Sequence, residues 1–437
     1  MLRLSAGQPA WVDFRILPQR LCMNRAVNLT GSLHVHKFVP PRQVSRSRRP
    51  PLWHVPGRST RQPTSARRRQ RATTVPSRDW VAIAVTALPG LAALIALVFA
   101  SLSVRATNVQ LQIAEQGQVT DRYNAAITNL GAGSIDIRLG GIYALQRLMD
   151  DSPRDQSTII SVLCAFVREH GTFTSKSNPV AIDTQAALTV IGTRNPGNDE
   201  STTLVDLSNA QLKGARLINL NLSHAELIGV NFSNAILTGA DFRGANLNRA
   251  NLAGADIGDA NFTRADLSHA NLASASTLIR GGYQRPGSSV SFDHAQLAGA
   301  NLDGGEFTAA NFESADFFDA DLVGADFTSA DLVNAQLNYA HLAYTRFIAA
   351  NFTHANFFYA ELTHANFFHS NLSRADLVHA NLSHADLVET VLRHANLSYA
   401  NLYGALLVRA NLFYANLTNA NIVDANINHA IGLQGKQ

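Results

Sequence analysis

From Leu207 onward a Leu or Phe returns at every fifth residue, with Ala two places before it and Asn or Asp one place before it. Ala240-Asp241-Phe242-Arg243-Gly244, Ala245-Asn246-Leu247-Asn248-Arg249 and Ala250-Asn251-Leu252-Ala253-Gly254 are three consecutive examples. The centres run from Leu207 to Leu272 and again from Phe292 to Ile427, as 14 and then 28 repeats. Neither regular element accepts this period. On an α-helix five residues advance about 500°, which scatters the centres around the axis. On a straight strand an odd period turns the centre to the opposite face at each repeat. Each pentad must therefore contain its own bend. The chain then winds as a polygon with Ala and Leu/Phe turned inward, and Asn or Asp suit the corners, where they bond to nearby backbone.

The pattern before Leu207 predicts helices. Trp80 to Val104 is a run of 25 residues without a charge, bounded by Asp79 and Arg105. As a helix it would measure roughly 37 Å, enough to cross a hydrocarbon core of about 30 Å. Val119, Tyr123, Ile127 and Leu130 continue at helical spacing, and Gly131-Ala132-Gly133 ends that element. A second helix is predicted from about Ser134 to Met149. A third follows Ser152 as cap and Pro153 at the first helical position, and a fourth runs from Thr184 to Ile191 behind Asp183 as cap. Residues 105–200 thus read as a small domain of short amphipathic helices, HEAT-like in outline, placed to cover the first coil of the repeat region. A solenoid end needs such a cover over its unpaired edge.

The A-[ND]-[LF]-x-x pattern over residues 203–430 resembles the pentapeptide-repeat family. The resemblance implies an all-β solenoid, a right-handed quadrilateral β-helix with four pentads per coil. Some ten coils at about 4.8 Å each would make a rod roughly 50 Å long. Residues twenty apart would then be vertical neighbours, stacking Phe307, Phe327, Phe347 and Phe367 inside. The helical segment is similar to the N-terminal part of membrane-associated bacterial members, on Asp121-Arg122-Tyr123-Asn124 and Arg138-Leu139-Gly140-Gly141-Ile142-Tyr143-Ala144-Leu145.

Charge changes this picture at the N-terminus. Residues 1–79 hold 16 Lys/Arg against 2 Asp/Glu, without hydrophobic periodicity, and read as a disordered basic tail with Met23 as an alternative start. Residues 201–437 hold 12 against 20, so the pI of 9.2 averages a basic tail and an acidic body. Six Arg in residues 61–79 against Arg105 and Arg122 beyond the apolar run place the N-terminus in the cytoplasm and the solenoid outside. Residues 431–437 form a short tail.

Three surface features are candidates for partner binding. The pattern lapses for three pentads between Leu272 and Phe292, as if 15 residues bulged from the rod, and reads as a loop extruded over 274–289. Arg280, Tyr283 and Arg285 would be presented there, and family members that protect DNA topoisomerases use such a loop on their target. Nine acids occur with no Lys or Arg from Pro286 to Thr345, among them Asp316, Asp319, Asp321, Asp326 and Asp331. The position two after the centre is rich in His and Tyr. Tyr339, Tyr359, His379 and Tyr399 should form one exposed column, and Tyr344, His364 and His384 its neighbour.

Cys22 and Cys164 lack metal or disulfide spacing, and Cys164 sits in an apolar run as a structural thiol. There is no glycine-rich phosphate loop, HExxH, G-x-S-x-G or convergent carboxylate pair, so no catalytic residue, metal or cofactor is expected. The expected function is a membrane-anchored rod for contacts with a protein partner. The alternatives are a DNA-mimicking modulator of a topoisomerase, which the external solenoid disfavours, and a scaffold self-associating through its last coil near Asn426–Ile431.

Overall fold

The computed structural model describes residues 80–171, 180–199, 204–277 and 289–433, with side chains from residue 88 onward. The basic tail, most of the loop between the two repeat blocks, and Arg280, Tyr283 and Arg285 lie outside the described residues.

The repeat region winds as expected from its period, but its sheets are minimal. Each pentad contributes one residue to a rung, and that residue pairs in parallel with the residue one coil away. Asp206 pairs with Glu226, Gln211 with Asn231, Arg216 with Ile236 and Asn221 with Asp241, and so on to Asn411 with Ile431. A separation of twenty residues means four pentads per coil and four faces. No longer strand forms among the described residues, because a turn follows every centre. In the first pentad Ala210 N–H donates to Leu207 C=O at 3.1 Å, with Asn209 between them at φ 61°. A positive φ at the third turn residue is the type II requirement. The Asn and Asp residues stand in the rungs rather than on the corners. Their Oδ1 accepts from the backbone N–H two residues on, as Asp206 does from Ser208 at 3.0 Å, and so stabilises the corner from its base.

Inside, Ala and Leu or Phe are sealed from water from Leu207 to Leu412. Phe307, Phe327, Phe347 and Phe367 stack with ring centroids 5.2, 5.6 and 4.9 Å apart. A second interior column joins Phe242, Phe262, Phe292 and Phe312 at 4.9, 4.9 and 4.6 Å. Its members are separated by thirty residues across the interruption, because the coil does not resume twenty residues on. Asp256 still pairs with Ser276, but Asn261 pairs with Ser291 and Ser276 with Glu306. The insertion is therefore ten residues rather than 15. Ala275-Ser276-Thr277 stays in the coil with buried Thr277 as its centre, so the excursion begins after Thr277, not at Ser274.

Among the described residues four α-helices precede the rod. α1 spans Trp80–Leu130 as one element of 51 residues, joining the apolar run and the following amphipathic turns without a break. α2 (Ile135–Asp151) crosses it at Gly141, where a Cβ would meet Ala126 C=O at 2.8 Å. Pro153–Asp155 is a 3₁₀ turn, and α3 (Gln156–His170) follows it, later than the proline suggested. α4 (Ile182–Thr193) starts before its expected cap. Asp183 lies inside its first turn, buried, and pairs with Arg138 of α2 at 2.6 Å.

These helices meet the edge of the first coil at each of its four faces. Arg168 pairs with Asp206, and Gly171 lies against the backbone of Gln211. The side-chain amide of Gln185 accepts from Arg216 N–H at 2.9 Å and donates to Arg216 C=O at 2.7 Å, as a preceding rung would. Asn221 N–H donates to Gly192 C=O at 2.8 Å, and Asn221 C=O accepts from Arg194 at 2.9 Å. Burial pushes the Asp206 carboxyl up, but hydrogen bonds from Ser208 and Arg168 outweigh it and hold it below its ordinary range. Replacing Gln185 by Ala strands two backbone groups at a protein edge. Both bonds lie at an exposed edge where water replaces the lost partner, so the expected cost is about 0.5–1.5 kcal/mol, read as a lower midpoint in denaturant unfolding, whereas Thr189→Ala on the exposed side of α4 should change little.

Candidate functional site

The corners carry the exposed chemistry of the rod. Position two after each centre has φ between about 54° and 72° wherever it is described. Glycine takes it at Gly229, Gly239, Gly244, Gly254 and others. Tyr339, Tyr344, Tyr359, Tyr399 and Tyr414 occupy the same conformation, with φ 57–65°. These are five of the nine tyrosines in the chain, in a region where bulky side chains are rare. The left-handed backbone costs an L-residue roughly 1–2 kcal/mol. An aromatic contact returns about 0.5–1.5 kcal/mol. Tyr339 and Tyr359 each make three such contacts, so stacking offsets a strain that glycine at the same corner would not incur at all.

The rings form the columns that the spacing of twenty predicts. Tyr339, Tyr359, His379 and Tyr399 stack with centroids 5.6, 4.6 and 5.0 Å apart and planes within 20°. Phe318 meets Tyr339 edge-on, and Phe358 meets Tyr359 edge-on at 4.5 Å. On the next corner Tyr344, His364 and His384 stack at 5.0 and 5.1 Å. This column ends at Gly404, where a Cβ would strike Nδ1 of His384 at 2.6 Å.

Five residues separate the two corners, so the columns border one face of the rod. Its rungs are His341, Glu361, Asn381 and Asn401. Asn381 donates to Glu361 at 2.9 Å and to Thr363 at 3.1 Å, and Asn401 donates to Asn381 at 3.0 Å. The face is therefore a fixed polar ladder between two rails of rings. Stacking occupies the faces of the inner rings, while Tyr339, Tyr344, Tyr359 and Tyr399 remain exposed. Such a surface offers hydrogen bonds and edge contacts in register, rather than an open ring face for a sugar or cation.

The other candidate residues are not brought together. Asp316, Asp321, Asp326 and Asp331 take consecutive rungs and so lie on four different faces, with Asp319 on a corner. Of the rung acids only Glu306 and Asp326 share a face one coil apart, so together they ring the rod rather than line it. Burial and then the charge of Asp321 push the Asp303 carboxyl up. One Asp303 oxygen is shut from water without a hydrogen-bond partner. Sequence reasoning missed an ion ladder on another corner, where Glu389 bridges His369 at 3.1 Å and Arg409 at 3.0 Å. Spacing by twenty was signal enough to find it. His364 and His384 stack face to face, so their ring nitrogens do not converge. Among the described residues no group of three or more His, Cys, Asp or Glu is arranged to hold a metal. Burial pushes the Cys164 thiol up to about 12, leaving it a poor nucleophile.

The model for pentapeptide repeats matches residues 206–244, 245–276, 291–332, 330–374, 370–407 and 391–428. The pentapeptide repeat protein HetL of the cyanobacterium Nostoc sp. strain PCC 7120, involved in heterocyst differentiation regulation, is 31% identical over 51% of this chain and 92% of its own, with a TM-score of 0.36. The chain belongs to the pentapeptide-repeat family. Membership brings with it the right-handed β-helix. Two further structures are similar to it. Trypsin-treated QnrB1, a plasmid-mediated fluoroquinolone resistance protein, is 22% identical over 44% of this chain and 85% of its own, with a TM-score of 0.24. A pentapeptide repeat protein of the Arabidopsis thaliana thylakoid lumen is 30% identical over 26% of this chain and 66% of its own, with a TM-score of 0.12. A comparison with curated proteins gives no match. In this pentapeptide-repeat protein the candidate site is thus a rod face that the family's repeat leaves free to vary.

Asp303 yields a pH test. Its native carboxyl holds the proton above its ordinary value of 3.8. Protonation therefore stabilises the fold below that value, and the benefit is lost as pH rises through the raised native value. Asp303→Asn should melt higher than the parent at pH 7, and the gap should close near pH 3. An equal gap at both pH values would show that Asp303 acts through packing instead.

Proposed function

We propose that this is a single-pass, membrane-anchored, non-enzymatic protein that presents the face between its two aromatic columns to a protein partner. The observation that carries the reading is the set of tyrosines held in left-handed corners. Glycine would fit these corners without strain, so tyrosines that take on the strain and align over successive coils are read as a contact surface. The mixture on the face, Tyr with Asn, Ser, Thr and His, suits protein recognition. Tyrosine supplies contact area at little entropic cost, and the small polar residues supply hydrogen bonds. The rungs fix the rings before any partner arrives, which lowers the ordering cost of association. The interior is filled by Ala, Leu and Phe along the described rod, leaving no room there for a substrate. α1 is long and apolar enough to span a bilayer, and the charge bias favours the rod outside it. The girdle of acids gives no line of carboxylates to imitate a phosphate backbone, so the partner reading is preferred to DNA mimicry.

Glycine substitution separates binding from folding, because glycine is the residue the corner backbone favours. Tyr359→Gly with His379→Gly should leave the melting temperature within a few degrees of the parent while abolishing contact with the partner. Contact would be read by photo-crosslinking from position 363 on the same face. Unchanged crosslinks with a large drop in melting temperature would make the columns structural. A compartment-sensitive reporter fused after Gln437 should report the external side, and a cytoplasmic signal would reverse the orientation.

A further inference from the structure

Of the described part of α1, only the last turns are covered by the rest of the chain. Residues 101–118 are exposed without exception, and packing starts at Val119 and Tyr123. Residues 105–118 would stand in water beyond the apolar run, yet they lack what an isolated helix needs there. Fourteen residues make a marginal helix in water. Arg105 and Glu115, the only charges between Trp80 and Thr120, are ten apart and cannot support each other along the helix.

What the segment does have is a stripe. Ile95, Phe99, Leu102, Ala106, Val109 and Ile113 are spaced alternately by four and three, the pattern of a coiled-coil seam. Val109 is 54% exposed and Ile113 64%. At about 100° per residue, the mean direction of Leu102, Ala106, Val109 and Ile113 lies roughly a quarter-turn from that of Val119, Tyr123, Ala126, Ile127 and Leu130, which face the helical domain. The seam is therefore not blocked by the chain's own head.

The stripe runs from inside the apolar span into the solvent-exposed stalk. A lipid could cover only the first part and a soluble protein only the second. The occupant that covers both must be another helix, inserted in the same direction and leaving the bilayer at the same level. We propose that this occupant is a second copy of this chain, whose α1 pairs in parallel through Leu102, Ala106, Val109 and Ile113. A second copy meets these conditions by construction, and its stripe lies at the same depth. Pairing would hold two rods side by side, so that the second aromatic face engages at a high effective concentration once the first is bound.

The inference rests on reading α1 as a membrane span, and the test keeps the two apart. The full chain with Cys22→Ser, in membranes, would carry single cysteines along the stalk and be exposed to a mild oxidant. Cys164 is buried and does not interfere. Ala106→Cys, Val109→Cys and Ile113→Cys should give disulfide-linked dimers, and Asn108→Cys, Leu111→Cys and Glu115→Cys several-fold less. Adding Val109→Gln with Ile113→Gln should suppress the Ala106→Cys dimer while the circular dichroism of the rod is unchanged. Chain retained in the membrane through alkaline carbonate extraction, but with a flat crosslinking profile or one peaking at Leu111, overturns the pairing alone. Chain released by that extraction removes the membrane reading and the pairing with it.

Discussion

Everything in the rod depends on one constraint, the pairing of each rung residue with the residue one coil away. Asp206 to Glu226 is the first such pair and Asn411 to Ile431 the last described. Because a rung is one residue long, no single face could hold together as a sheet. The backbone bonds are cooperative only because four faces share one continuous chain. The Ala and Leu or Phe positions follow from this. They are the residues that fill a narrow interior when every pentad points two groups inward, and their burial is what drives the coils together.

The same constraint makes the ends expensive and the middle tolerant. At the first coil, rung groups with no coil beneath them need substitutes, and the helical domain supplies them one face at a time. Gln185 is the clearest case, its amide standing in for a peptide against Arg216. In the middle each coil touches only its neighbours, so a ten-residue insertion after Thr277 displaces nothing above or below it. The phenylalanine stack passes through the interruption at an undisturbed 4.9 Å between Phe262 and Phe292.

The sequence made the coil legible because period five admits few geometries. Period twenty then placed Phe307 over Phe327 and Tyr339 over Tyr359 without coordinates. It failed where the count slipped, so the column through Phe262 and Phe292 was not anticipated. Thr277 was misplaced for a related reason, since a threonine centre breaks the Leu/Phe pattern while still turning inward. Gln185 was invisible, because nothing distinguishes a glutamine that caps an edge from one that faces water until the edge is seen. The left-handed corners were legible in principle. Gly229, Gly239, Gly244 and Gly254 share their position with Tyr359 and His384, and a position that takes glycine so often is one that needs a positive φ.

That last point bears on where function can reside in such a fold. The inward positions are fixed by volume, and the rung positions are tied by their Asx bonds to the turn. The corners are the places where side-chain identity is nearly free of the fold, with glycine the least strained choice. In the first block most corners are glycine or small and charged residues, whereas from Tyr339 onward His and Tyr stand on all four corners and make their longest stacks on two adjacent ones, with a shorter stack of His394 on Tyr414 elsewhere. Rings standing singly would offer separate contacts. Alignment over successive coils instead produces a surface with one direction and one repeat, fixed to the spacing of the backbone beneath it. On the proposed reading, a partner would meet several coils at once, which a rod can offer and a compact domain cannot.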